Sequence, residues 1–133
     1  MLELSGQFVL LEHVLDAGRH WDLMFEAGSV LVTWQLAHNP IVKAASAEAP
    51  PISACRIVDH RRTYLDYQGR ISGDRGSVTR LDKGQYFLIG HEPDRLSLDI
   101  RGEQLCGHYE IIKSVSNEAV GGDEVWRFVR QHD

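Results

Sequence analysis

An all-β domain is the fold this sequence predicts: a single antiparallel β-barrel or sandwich of about eight strands with one long proline-rich loop. Three observations carry that expectation. Short apolar-rich runs recur with hairpin-length turns between them. No stretch keeps a 3.6-residue apolar period long enough for a major helix. No repeat or low-complexity tract marks a second unit, so the 133 residues are expected to form one domain. Its core should occupy about residues 7–113, with 114–133 as a polar tail holding one last short element.

The elements follow in order. Residues 7–12, 20–27 and 30–36 are extended and apolar-rich, and Ala27, Gly28 and Ser29 suit a hairpin between the last two. Residues 37–53 carry Pro40, Pro50 and Pro51 and read as a loop, with one helical turn expected at 44–48. A short strand resumes at 56–59, and Gly69, Gly73 and Gly76 punctuate a loop over 67–76. Strands are expected at 77–81, 85–90, 95–101 and 104–113. Turns should fall at Asp82-Lys83-Gly84, Glu92-Pro93-Asp94 and Arg101-Gly102-Glu103. Residues 114–123 are polar, and 125–130 form a final strand or helical turn.

Composition narrows the function. Hydrophobic content of 43% with 25% charged residues is that of an ordinary globular protein. No run of about 18 apolar residues predicts a membrane span, and residues 1–8 lack the basic-then-apolar pattern of a secretory leader. Cys55 and Cys106 form no C-x-x-C pair, so a reducing, cytoplasmic setting without membrane contact is expected. A net charge of −5 speaks against a general nucleic-acid coat. Residues 56–80 differ locally, with six arginines against three aspartates. Arginine in such a cluster suits a few specific phosphate contacts, and a solvated face of ion pairs suits it equally.

Two short stretches carry the chemistry. In His20-Trp21-Asp22 the strand alternation places His20 and Asp22 on one face. An imidazole and a carboxylate so placed are half of a divalent-metal site, and His13 from the preceding strand would complete it. A hydrogen-bonded core histidine is the rival reading. In the second stretch His60 and Tyr64 stand four apart in a segment leaving a strand. They offer a proton carrier and a neutral hydroxyl donor, or else a turn histidine and a core aromatic. The glycine-rich run 69–76 lacks the G-x-x-x-x-G-K-[ST] spacing of a nucleotide P-loop. No G-x-S-x-G elbow and no H-E-x-x-H helix occur. Trp21, Trp34 and Trp126 suit packing better than base stacking.

Taken in order, F-V-L-L-E-H (8–13), R-H-W-D-L-M-F-E (19–26), V-L-V-T-W-Q-L (30–36), D-H-R-R-T-Y (59–64), Y-Q-G-R-I-S-G-D-R-G (67–76) and G-E-Q-L-C-G-H-Y-E-I-I-K (102–113) resemble the 3′-phosphoesterase module of bacterial DNA ligase D, in its short stand-alone form. The resemblance implies a β-barrel-like domain that removes a 3′-terminal ribonucleotide or a 3′-phosphate during DNA repair. It implies a divalent metal, typically Mn²⁺, held by His13, His20 and Asp22, with His60 and Tyr64 at the scissile phosphate. From ligand type alone Zn²⁺ stays open as an alternative metal, whereas imidazole ligands argue against calcium. Arg61, Arg62, Arg75 and His38 are the candidates for phosphate contacts. The implied partner is a nucleic-acid 3′ end, and a separate ligase or polymerase is the further partner such a module leaves open.

The chain departs from the family pattern in four places. Met24 stands where the family has an arginine, His38 where it has a lysine, and Val58 where it has an acidic residue. The interval from His13 to His20 is one residue longer than usual. Loss of positive charge keeps a second reading in view, a non-catalytic module that binds a nucleic-acid end or a repair partner on the same fold.

Overall fold

The computed structural model describes residues 2–114 and 125–132. The strands are β1 (Ser5–Leu15), β2 (Gly18–Ala27), β3 (Val30–Leu36), β4 (Ile52–Arg61), β5 (Gly69–Arg70), β6 (Ser77–Glu92), β7 (Arg95–Gly102), β8 (Cys106–Lys113) and β9 (Val125–Arg130). A one-turn helix α1 (Pro40–Lys43) follows β3, and a 3₁₀ turn (Arg62–Leu65) follows β4. Hydrogen bonding runs β1-β2-β3-β4-β9-β8-β7-β6, and β6 pairs back onto β1. Eight antiparallel strands therefore close into a barrel, as the apolar runs and short turns predict. Closure leaves these strands without an open edge. No described helix is long and apolar enough to cross a membrane.

Alternation along the strands creates two separate apolar clusters. Phe8 and Leu10 of β1, Leu23 and Phe25 of β2, and partners from every other barrel strand fill the interior. Trp34 and Trp126 belong to it, edge to face with centroids 5.1 Å apart. The intervening residues Val9, Leu11 and Met24 point the other way, onto the outer surface. Leu65, Tyr64 and Ile71 cover them there, so the segment from the 3₁₀ turn to β5 lies across the barrel wall as an external flap. The candidate site lies between this flap and the wall.

The structure departs from the sequence expectations in three places. The helical turn is at Pro40–Lys43 rather than 44–48, because Asn39 caps it, accepting from the Ile41 N–H at 3.0 Å, with proline at its first position. Strand β4 extends over Ile52–Arg61, well beyond 56–59, because its first four residues pair with β9. No turn occurs at Asp82-Lys83-Gly84; β6 runs through it unbroken for 16 residues. There β6 passes so close to β7 that a Cβ on Gly84 would overlap the Arg101 carbonyl oxygen. The 125–130 segment resolves into a strand. Of the polar stretch expected at 114–123, all but Ser114 lies outside the described residues.

Glu26 fastens the flap to the wall. Its carboxylate accepts the Gln7 N–H at 3.1 Å and pairs with Arg62, which also donates to the Gly28 carbonyl at 3.0 Å. The Gln7 N–H above all, with help from the Arg62 guanidinium, holds the Glu26 carboxyl below its ordinary value, against an opposing push from burial. A depressed folded-state pKa means stabilisation that is complete above the unfolded value of 4.5 and lost as pH falls below it. Urea denaturation of Glu26→Gln should show a loss of about 1 kcal/mol at neutral pH. That difference from the unaltered chain should vanish in acid; a gap that persists below the carboxylate range would contradict the assignment.

Candidate metal and phosphate site

Strand register brings the first three candidates together. His13 and His20 face each other across β1 and β2, and Leu11 lies opposite Asp22. Directly paired residues share a face, so His13, His20 and Asp22 all project outward from the barrel. Asp22 is almost wholly buried, its side chain 2% exposed against 15% for His13 and 19% for His20. His20 Nδ1 lies 2.8 Å from Asp22 Oδ1, and His13 Nδ1 lies 3.7 Å from Asp22 Oδ2. The imidazoles meet edge-on, centroids 4.7 Å apart. One ligand atom from each residue falls within 4.8 Å of the others.

The glycine-rich loop sets the state of His13. Its Nε2 lies 2.7 Å from the Arg75 carbonyl oxygen. A carbonyl only accepts, so Nε2 donates to it, and Nδ1 is the ring nitrogen that faces Asp22. Metal-binding histidines are held in this way, one ring nitrogen donating to a carbonyl and the other left to bind. The carbonyl is delivered by a left-handed turn with Gly73 at φ 74°, Asp74 at 55° and Gly76 at 78°. A Cβ on Gly76 would overlap the Val14 carbonyl oxygen, so only glycine lets the loop approach β1 this closely.

His13 and Asp22 open onto a cleft of about 310 Å³ whose wall includes Met24, Val58, Asp59, His60, Arg61, Tyr64, Ile71, Arg75 and Val78. His60 enters from the end of β4 and Tyr64 from the 3₁₀ turn, their rings edge to face at 5.7 Å. His60 Nδ1 donates to the Val58 carbonyl at 2.9 Å, which leaves Nε2 as its working nitrogen. The Arg75 guanidinium donates to the Ser72 carbonyl at 2.7 Å and the Ser72 hydroxyl at 3.2 Å while lining the cleft. The Arg61 guanidinium lines it without a hydrogen-bond or ion-pair partner among the described residues.

Two expected phosphate contacts are not part of this cleft. Arg62 is turned away and committed to Glu26 and Gly28. His38 is exposed in the turn before α1, beyond the end of β3, and it does not line the cleft. Met24 lies on the cleft wall, so an apolar thioether stands where the resemblance led to the expectation of an arginine. Asp59 was not singled out in the sequence, yet its carboxylate stands at the cleft in an ion pair with Arg56. Its position next to His60 was the available signal.

An outward-facing His–His–Asp cluster beside a histidine and a tyrosine, on a closed β-barrel, is a site able to hold a divalent cation next to a proton carrier and a hydroxyl donor. The chain matches the DNA ligase D 3′-phosphoesterase domain family over residues 12–113, and it belongs to that family. Membership makes it a 3′-phosphoesterase-type domain of DNA repair, with a nucleic-acid 3′ end as its substrate class. No curated protein matches the chain.

Proposed function

We propose that this chain hydrolyses phosphoesters at nucleic-acid 3′ ends, removing a terminal ribonucleotide or a 3′-phosphate with the help of a divalent cation. The observation that carries the reading is the Arg75 carbonyl on His13 Nε2, which turns Nδ1 toward the Asp22 carboxylate on the cleft that also holds His60. The donor set fits a cation: two imidazoles and one buried carboxylate, with ligand atoms within 4.8 Å of one another. The family resemblance favours Mn²⁺, and imidazole with carboxylate leaves Zn²⁺ open as the alternative. Bound there, the cation supplies Lewis-acid polarisation of a phosphoryl oxygen.

The chain's own groups do the rest. The reaction joins a water oxygen to phosphorus, releases one of that water's protons to solvent, and breaks the bond from phosphorus to the leaving sugar oxygen. His60 Nε2 is the nitrogen that passes a proton to that oxygen, and the Val58 carbonyl on Nδ1 orients the ring. The Tyr64 hydroxyl donates to a non-bridging oxygen without adding charge, and the Arg61 guanidinium offsets part of the anion's charge. Met24, Ile71 and Val78 form an apolar wall that keeps these interactions in a low-dielectric setting.

The test is turnover of an oligonucleotide ending in a ribonucleotide or a 3′-phosphate, with and without Mn²⁺. Product is expected only with the cation. His60→Gln should lower the rate by roughly 10²–10⁴-fold while leaving cation affinity intact, because His60 is outside the ligand set. Binding of the oligonucleotide without product at saturating Mn²⁺ would replace this reading with that of a non-catalytic end-binding module.

A further inference from the structure

Regular alternation along β4 cannot account for where its side chains go. Ile52 and Ala54 face the barrel interior. Arg56 follows them: it lies opposite Trp34, and its guanidinium carbon sits 5.9 Å from the centroid of that interior ring. Side chains two and four positions apart on a strand share a face, so His60 should point inward as well. It does not. His60 lies opposite Leu31, a member of the outer apolar cluster, and lines the outer cleft.

The pairing of β3 with β4 explains the reversal. Thr33 lies opposite Ile57 and Leu31 opposite His60, so Val32 alone faces both Val58 and Asp59. One extra residue on one strand is a β-bulge, and a shift of one position carries every later side chain to the other face. Local bonds rather than packing hold this bulge. The Val58 side chain is 79% exposed, so burial does not fix it, and the Val58 carbonyl accepts from His60 Nδ1 at 2.9 Å. Asp59 Oδ1 accepts from Arg56 Nη2 at 2.5 Å, an ion pair that spans the bulge. Arg56 in turn rests on the buried Trp34 ring, which anchors the pair in the core.

We propose that the Arg56–Asp59 ion pair fixes the bulge and thereby aims His60 across the cleft, which makes Arg56 a positioning residue acting through Asp59. The inference rests on the proposed reaction, since it takes His60 as the proton carrier. Arg56 does not line the cleft; it lines a separate cavity beside Trp34 and Trp126, so its effect on His60 passes along the strand. Ion pair and ring contact together are worth roughly a tenfold preference for the aimed arrangement. Both side chains of the pair are partly exposed, so removing it should disturb His60 without unfolding the barrel.

Two readouts test this. In metal-free protein, NOESY spectra should show cross-peaks between the His60 and Tyr64 rings, whose centroids lie 5.7 Å apart. Arg56→Met should weaken them. Arg56→Lys, which keeps the charge and a donor for the one carboxylate oxygen engaged, should restore most of the loss. In the Mn²⁺-dependent turnover assay Arg56→Met should lower kcat roughly tenfold and leave KM and Mn²⁺ affinity near those of the unaltered chain. Arg56→Met also leaves the Asp59 charge uncompensated at the cleft. The double variant Arg56→Met with Asp59→Ala removes both charges and should stay as slow as Arg56→Met alone.

Cross-peaks that survive Arg56→Met, or a loss confined to KM, would overturn the proposal. So would a double variant back at full rate, because the bare Asp59 charge would then account for the loss. Failure of the reaction is separable. An unaltered chain that forms no Mn²⁺-dependent product, but whose cross-peaks still depend on Arg56, sinks the hydrolysis and spares the positioning. Product formed at one rate with and without Arg56 does the reverse.

Discussion

Asp22→Asn is expected to abolish high-affinity divalent-cation binding, lowering affinity by more than about a hundredfold. Loss of an outer partner of a metal ligand already costs 10–100-fold, and Asp22 supplies the ligand set's one carboxylate. The substitution removes that charge at a side chain only 2% exposed, where water cannot take its place. Isothermal titration with Mn²⁺ reads the affinity directly. Thermal denaturation gives a second readout: cation at a hundredfold excess over Kd should stabilise the unaltered chain by about 2.7 kcal/mol and the variant not at all. His20→Ala should behave alike. A variant that keeps both its affinity and its metal-induced stabilisation would remove Asp22 from the site.

Asp82→Asn is expected to produce the largest loss of stability, about 3 kcal/mol or more. Asp82 is 4% exposed, and its two oxygens accept four backbone N–H groups. Oδ1 takes those of Lys83 and Glu103, both at 2.9 Å, and Oδ2 takes those of Gln104 at 3.2 Å and Leu105 at 2.8 Å. One carboxylate on β6 thereby closes the turn between β7 and β8. An amide nitrogen in place of either oxygen sets donor against donor and leaves buried N–H groups unpaired. Melting should fall on the order of 10 °C. Mn²⁺ affinity measured below the transition should hardly change, since Asp82 is outside the ligand cluster. A near-neutral effect would show that water satisfies the turn.

The same residue shows where sequence reasoning stopped. Asp82-Lys83-Gly84 has the composition of a turn because aspartate and glycine favour turns locally. Here the aspartate serves a turn some twenty positions away, and the glycine permits close approach between strands. Neither use leaves a local mark. The cluster of His13, His20 and Asp22 was legible for the opposite reason. Strand alternation put His20 and Asp22 on one face, and His13 from the preceding strand was the candidate third member, which the β1–β2 register places opposite His20.

Charge was the least legible feature. Arg61 and Arg62 are neighbours of the same type, yet one faces the cleft unpaired and the other is held by Glu26. Their sequence shows two positive charges and says nothing of a carboxylate on β2. The Arg75 carbonyl on His13 could not have been read at all, because backbone atoms carry no residue code.

The most direct test of the site is a crystal soaked in Mn²⁺ with a phosphate analogue, examined by anomalous scattering. The account predicts one strong peak within coordinating distance of His13 Nδ1, His20 and the Asp22 carboxylate, with the anion between it and His60. A manganese ion bound elsewhere, or imidazoles that stay hydrogen-bonded to Asp22 and Arg75 with no metal among them at saturating Mn²⁺, would contradict it.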